Sequence, residues 1–236
     1  MPHSNESSKH RLISNVLSPA VKLWLMGQVQ QVSNLEVKIS GSDRQIVTGY
    51  IPHVSISAHY AIYQGLHLSQ IQLVGEGIRI NLGQVLRGQP MRLLEPVPVY
   101  GKLLLQESNL NASLQSPLLA NALSELLLKL FPSSSLVEGQ VKWHKIGIDS
   151  DQLIMSATLS ADTSNPIPVV IRTGLKLASC HELQLEQPQI HTQSGDLLVN
   201  ADNFKLDLGP EVALAELTLN SGQLMCHGRI NVIPAA

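Results

Sequence analysis

The chain has 236 residues, of which 14% are charged and 3% aromatic, with a net charge of −2. That length suits one large all-β or α+β domain with a sizeable core. Without a basic excess, and with so few rings to stack on bases, the composition excludes a nucleic-acid binder.

Residues 1–11, Met1 to Arg11, are polar and read as a flexible N-terminus; 12–236 read as a single domain. Ser18-Pro19 predicts a helix start, with Ser as N-cap and Pro at the first helical position. Ala20, Val21, Leu23, Trp24, Leu25 and Met26 follow, Leu12, Ile13, Val16 and Leu17 suggest a helical turn before it, and Ser33-Asn34 closes the element. From Leu35 the chain alternates apolar and polar: Leu35-Glu-Val37-Lys-Ile39, Val54-Ser-Ile56-Ser-Ala58, Leu66-His-Leu68, Ile71-Gln-Leu73 and Ile78-Arg-Ile80-Asn-Leu82. A period of two puts one face in an apolar interior and the other in water. Gly41 to Arg44 reads as a hairpin loop. The apolar phase shifts between Leu68 and Ile71 and again at Gly75-Glu-Gly77, and each shift requires a bulge or turn.

Gly83 to Gly101, with Pro90, Pro96 and Pro98, reads as partly irregular, and a strand is expected from Lys102 to Ser113. Ser116-Pro117 opens a second helix, amphipathic through Leu119, Leu123, Leu126 and Leu130, with Pro132 to Ser135 as its stop. Strands follow at 141–148, 153–159, 169–177, 183–190, 197–208, 214–219 and 223–233. Helix-then-sheet thus occurs twice, which suggests a pseudo-repeat. The fold expected is α+β, a long curved antiparallel sheet wrapped around two amphipathic helices.

Nothing in the sequence reads as a reactive centre. Gly75-Glu-Gly77 begins a dinucleotide fingerprint whose third glycine would fall at Ile80, and no nucleophile elbow or His-Glu-x-x-His run exists. Cys180-His181 and Cys226-His227 are matching dipeptides, but strand neighbours point to opposite faces, so neither pair can aim both members at one ion. No catalytic residue, metal or cofactor is expected. Two cysteines are too few for a disulfide framework, no unbroken apolar run is long enough to span a membrane, and the polar start does not read as a secretory signal. A cytoplasmic protein, peripheral to a membrane if it touches one, is the expectation.

Four stretches carry a family resemblance: Leu17-Ser-Pro-Ala-Val-Lys-Leu-Trp24, Arg44-Gln-Ile-Val-Thr-Gly-Tyr-Ile-Pro-His-Val-Ser-Ile-Ser57, Tyr63-Gln-Gly-Leu-His-Leu-Ser-Gln-Ile-Gln-Leu73 and Asn111-Ala-Ser-Leu-Gln-Ser-Pro-Leu-Leu119. They resemble the cyanobacterial branch of the LmeA-like phospholipid-binding domain family. The resemblance implies a fold similar to tubular lipid-binding proteins, which hold acyl chains in an apolar groove. It implies a non-enzymatic binder of phospholipid or glycolipid.

The alternation supplies candidate lining positions: Val54, Ile56, Leu66, Leu68, Ile78 and Ile80 from the sheet, and Leu119, Leu123, Leu126 and Leu130 from the second helix. It assigns them to one side and leaves open whether lipid or protein fills the space. Arg79, Arg87 and Arg92 are headgroup candidates, or else a solvated edge. Residues 1–145 carry 12 Lys and Arg against 8 Asp and Glu, and residues 146–236 carry 4 against 10. The basic half holds Trp24, Leu25 and Lys22, with Lys9 and Arg11 nearby, as a candidate contact with an anionic membrane surface. The alternative for that helix is core packing, and the alternative function is a scaffold module binding a protein partner through it. Oligomeric state is not legible.

Overall fold

The computed structural model describes residues 17–131, 140–160 and 166–234. Most of these lie in antiparallel strands, with few helices, so the fold is a β-rich α+β fold. The expected turn at Leu12 to Val16, the stop at Pro132 to Ser135, and Lys9 and Arg11 lie outside the described residues.

The first helix, α1, spans Ser18–Gln28, with Leu17 at the N-cap position and Pro19 in the first turn. The expectation had Ser18 as the cap. Gln31–Ser33 (β1) is a short strand where the tail of that helix was expected, because it pairs with Tyr60–Tyr63 (β4). With Leu66–Leu68 (β5) these form a three-stranded sheet.

Glu36–Ser40 (β2), Tyr50–Ala58 (β3), Gln70–Arg79 (β6) and Val97–Gln106 (β7) open the first large sheet. Val212–Asn220 (β14) and Gln223–Val232 (β15), the last two strands, complete it in the order β14-β15-β7-β6-β3-β2. Its hairpin turn at Asn220 to Gly222 places Gly222 at φ 78°, a left-handed conformation suited to glycine. The second large sheet runs β12-β11-β10-β9-β8, from Gln140–Asp149 (β8), Gln152–Ser160 (β9), Ile167–Ser179 (β10), Glu182–Thr192 (β11) and Leu197–Asn200 (β12). Phe204–Asp207 (β13) also pairs with β11, so the strand expected across 197–208 is two short ones.

Two further expectations are corrected. The loop at Gly41 to Arg44 contains a helix, Asp43–Val47 (α2), fixed by a capping box in which Ser42 N and Oγ donate to Gln45 Oε1 at 3.1 and 2.8 Å. The strand expected to run to Ser113 ends at Gln106, and Glu107–Ser113 is a helix (α4). A four-residue helix, Leu82–Val85 (α3), lies in the irregular stretch. The second Ser-Pro helix is Pro117–Leu130 (α5), with Ser116 at its N-cap position. The phase shift at Gly75–Gly77 falls where the β3–β6 ladder lacks a pair between Ile51↔Ile78 and His53↔Glu76: Pro52, with no N–H, stands there and Gly77 has φ 64°. The shift between Leu68 and Ile71 is a change of sheet, from β5 to β6.

Each large sheet has its own core. α1, α2 and α3 contribute Leu17, Val21, Ile46 and Leu82 to a cluster with Ile51, Val54, Ile80 and Met91 on the first sheet. α5 lays Leu127 and Leu130 on the second sheet, against Trp143, Met155, Ile171 and Ile190. Trp143 Nε1 donates to Ser124 Oγ at 3.1 Å, which satisfies the indole within that packing.

α4 ties the two sheets together. Strand β8 is an edge, and its outward backbone groups need partners. Asn111 Nδ2 donates to Ile146 O at 2.7 Å and Asn111 Oδ1 accepts from Ile146 N at 2.8 Å, the pattern a neighbouring strand would supply. Glu107 Oε2 accepts from Ile148 N at 2.9 Å. Gly222 N, in the β14–β15 turn, donates to Ile148 O at 2.8 Å, and Glu107 N donates to Gly222 O at 2.8 Å.

Removing that junction is expected to uncouple the cores. Asn111→Leu strands a buried N–H and C=O at Ile146, and costs roughly 2–4 kcal/mol. The two tryptophans give separate readouts, Trp24 packed on the first core and Trp143 inside the second. Urea unfolding of Trp24→Phe and Trp143→Phe should give coincident transitions in the parent chain and separated ones once Asn111→Leu is added. Coincident, undiminished transitions would show that the junction is not what couples them.

Candidate functional site

The register of the first sheet sorts its side chains into rows, one residue per strand. One face carries Ala58–Ile71–Leu103–Cys226–Leu217, beside Leu105–Leu224–Leu219. The same face continues through Val37–Ile56–Leu73–Gly101–Gly228–Leu214 and Ile39–Val54–Gly75–Val99–Ile230–Val212. On the other face the row between them reads Glu36–Ser57–Gln72–Lys102–His227–Glu216, polar from end to end. The period of two separates an aliphatic face from a wetter one, whose outer rows still carry Val74, Tyr100, Leu104 and Met225. On the wetter face His227 Nδ1 lies 3.1 Å from a Glu216 oxygen.

Only one end of the aliphatic face is covered by the first core. Val37, Ile39, Val54 and Ile56 pack into or against it. Ile71, Leu73, Leu103, Leu105, Leu217 and Leu224 belong to neither core and stay half-buried. Two glycines facing each other, Gly101 and Gly228, thin the centre of the face, and Leu73 Cδ2 leans over Gly101 where a Cβ would sit 3.0 Å away. Gly228 is required by close approach: a Cβ there would stand 2.5 Å from Ala213 O. Half-burial among these side chains pushes the Cys226 thiol above its ordinary pKa by desolvation.

The second sheet has a smaller surface of the same kind. Leu177, Leu183 and Leu206 share a row beyond the reach of α5 and are half-buried. That end of the sheet meets the first one: Leu214 N on β14 donates to Cys180 O at 2.7 Å.

The sequence candidates separate into three places. Val54 and Ile56 lie on the aliphatic face of β3, at its covered end. Ile78 and Ile80 follow the phase shift and pack into or against the first core. Leu66 and Leu68 lie in the small sheet, whose β5 is pinned to α4 by His67 N donating to Ser113 Oγ at 2.8 Å. Leu119, Leu123 and Leu126 pack against the second core and Leu130 lies within it, so their contact with that sheet is filled by protein. The sequence candidates do not include Ile71, Leu73, Leu103, Leu105, Leu217, Leu224 or Cys226, which the pairing brings onto this face. The Leu103-Leu-Leu105 run hid which leucines face the apolar side, and only the pairing resolves it.

Trp24 and Leu25 pack against the first core, while Lys22 beside them is exposed. Arg79 is taken up locally, 3.5 Å from Glu95 and 5.7 Å from the centre of the Tyr50 ring. Arg87 and Arg92 are exposed, on the loop that Asn81 organises by donating to Pro90 O at 3.0 Å and accepting from Arg92 N at 2.7 Å. Cys180 and His181 form the turn between β10 and β11, which bonds to β14 through Cys180 O and Leu214 N, one strand from Cys226 and His227 on β15.

Two open concavities are present among the described residues. One, about 790 Å³, is lined by Gln152, Arg172, Glu186, Gln189, His191 and Asn203 on the second sheet, and its polar groups are the wrong chemistry for an acyl chain. The other, about 180 Å³, lies over β2, β3 and β6, where Glu36, Lys38, Ser57 and Gln72 stand beside Ile56, Leu73 and Val74. No described helix is long and apolar enough to cross a membrane.

The aliphatic sheet face is half-buried and free of charged groups. No curated protein and no solved structure matches this chain. A family model does, over residues 9–229, and the protein therefore belongs to the LmeA-like phospholipid-binding family.

Proposed function

We propose that the protein holds a phospholipid by laying its acyl chains along the half-open aliphatic rows of the first sheet. The observation that carries this reading is the set Ile71, Leu73, Leu103, Leu105, Leu217 and Leu224, one face of a sheet and part of neither core. Each methylene moved from water onto such a surface contributes about 0.8 kcal/mol, so an acyl chain needs length and no specific polar contact. Val54 and Ile56 border the slot at the end closed by α1. The row Leu177–Leu183–Leu206 extends it towards the second sheet. The two sheets then act as one curved wall, with α1 and α5 closing its two ends, and a glycolipid with the same tails would fit equally. Binding, with release to a membrane, is the whole activity in this reading, and no chemical step is assigned.

Two outcomes test it. Leu103→Trp fills the slot without adding charge. Displacing about two methylenes from contact predicts roughly a tenfold loss of a fluorescent acyl probe, with the melting temperature checked in parallel. Unchanged probe binding in a folded variant would remove the rows from the site.

Thiol labelling gives an independent readout. Cys180 is exposed and Cys226 half-buried on the slot. Alkylation should be faster at Cys180, and Cys226 should catch up as pH rises through its elevated pKa, because the thiolate is the reactive form. Added phospholipid should slow labelling of Cys226 and leave Cys180 unchanged. Equal rates at Cys226 with and without lipid would count against occupation of that row.

A further inference from the structure

Resting on the lipid-holding reading, we propose that the end of the molecule built by α1, α2 and residues 79–95 docks onto an anionic bilayer surface. Leu23, Met26, Val47, Leu86 and Leu94 enter the interface, and Lys22, Arg44, Arg87 and Arg92 meet lipid phosphates.

Exposure singles out this end. Among the described residues, the six most exposed large apolar side chains are Leu23 (74%), Val47 (63%), Ile233 (59%), Leu94 (58%), Met26 and Leu86 (56% each). All but Ile233 come from these three segments. Each is the chain neighbour of a side chain packed in or against the first core: Leu23 of Trp24, Met26 of Leu25, Val47 of Ile46, Leu86 of Val85 and Leu94 of Leu93. The core thus holds the inner residue and the next one turns outward. Residues 41–49 and 79–95 are also joined through the backbone. Ile80 N donates to Gly49 O at 2.9 Å, and Ile80 bridges to Leu93.

Charge selects the occupant. The segments 17–28, 41–49 and 79–95 hold Lys22, Arg44, Arg79, Arg87 and Arg92 against Asp43 and Glu95, a net charge of +3 in a chain whose total is −2. Among the described residues Arg79 pairs with Glu95, and the other four cations form no ion pair. Exposed apolar side chains interleaved with unpaired cations match a bilayer interface, where the apolar groups reach the acyl boundary and the cations stay at the phosphates. A protein partner of ordinary composition offers no such uniform layer of anions over hydrocarbon. Trp24, packed inward, steadies the helix that presents Leu23 and Met26.

The experiment is flotation of the full chain with vesicles of phosphatidylcholine, with and without phosphatidylglycerol, at low and high salt. Binding should require phosphatidylglycerol and weaken as salt rises. Arg87→Gln and Arg92→Gln should each reduce it about fivefold, the equivalent of about 1 kcal/mol per cation at the surface. The double substitution Leu23→Ser, Met26→Ser should reduce it at least tenfold, with melting temperature and acyl-probe uptake unchanged. Failure to float with anionic vesicles, or flotation indifferent to both sets of substitutions, overturns the proposal. So does a dimer of the parent chain that Leu23→Ser, Met26→Ser converts to monomer without changing flotation, since the face would then be a contact between copies. A protein that floats as described yet takes up no acyl probe would support docking and refute the slot.

Discussion

Ile146 needs a neighbour and Asn111 provides one. An edge strand that ends a sheet must bond its outward N–H and C=O to something, and here a side-chain amide takes both. Glu107 and the Gly222 peptide do the same for Ile148. These bonds lie where α4, the edge of the second sheet and the last hairpin of the first meet. They stop the second sheet from growing, and they fix its end against β14. The buried serines work in the same region: Ser113 Oγ accepts from His67 N, and Ser116 Oγ donates to Gln64 O at 2.8 Å. The join between the sheets is therefore polar and directional, while each core is aliphatic and tolerant.

That division of labour explains why a sheet face is left open. α1 has 11 residues, about 16 Å at 1.5 Å per residue. The first sheet is six strands wide, about 24 Å at 4.8 Å between strands. One short helix crossing near β2 and β3 cannot reach β7 and β15. α5, longer at 14 residues, is committed to the second sheet through Leu127, Leu130 and the Trp143–Ser124 bond. An aliphatic surface is thus built by strict alternation and then only partly covered. Contiguous apolar surface left part-exposed is a common mark of an interaction site.

Much of this was legible in the sequence. Alternation from Leu35 gave β2, β3 and most of β6, and the two Ser-Pro pairs gave the starts of α1 and α5 to within a residue. The family resemblance is borne out across nearly the whole chain. The failures have separate physical causes. Ser42-Asp-Arg-Gln45 carries a capping box, and that local pairing makes a helix where the turn residues predict a hairpin loop. Glu107–Ser113 has no strong helical pattern of its own, and it is helical because its turn aims Glu107 and Asn111 at one strand edge. The lining residues depended on which strand sits beside which. Leu103 and Leu224 are far apart in the chain and one strand apart in the sheet. Alternation fixes the face of each strand but not its neighbours, so it grouped Leu123 with Ile78 although they sit in different cores.

The two apolar surfaces differ in a way that fits different parts of a lipid. On the sheet face the side chains are contiguous and half-buried, and no ionisable group other than the Cys226 thiol interrupts Leu217, Leu103 and Ile71 in their row. A charged headgroup placed there would lose its hydration with nothing to replace it. At the α1 end the side chains stand singly, more than half exposed, with cations between them. A lone acyl chain there would stay largely in water, whereas a layer of headgroups over hydrocarbon would satisfy both kinds of side chain at once. In the proposed reading hydrocarbon lies on the first surface and the membrane interface on the second, and the end of the sheet where α1 packs is common to both.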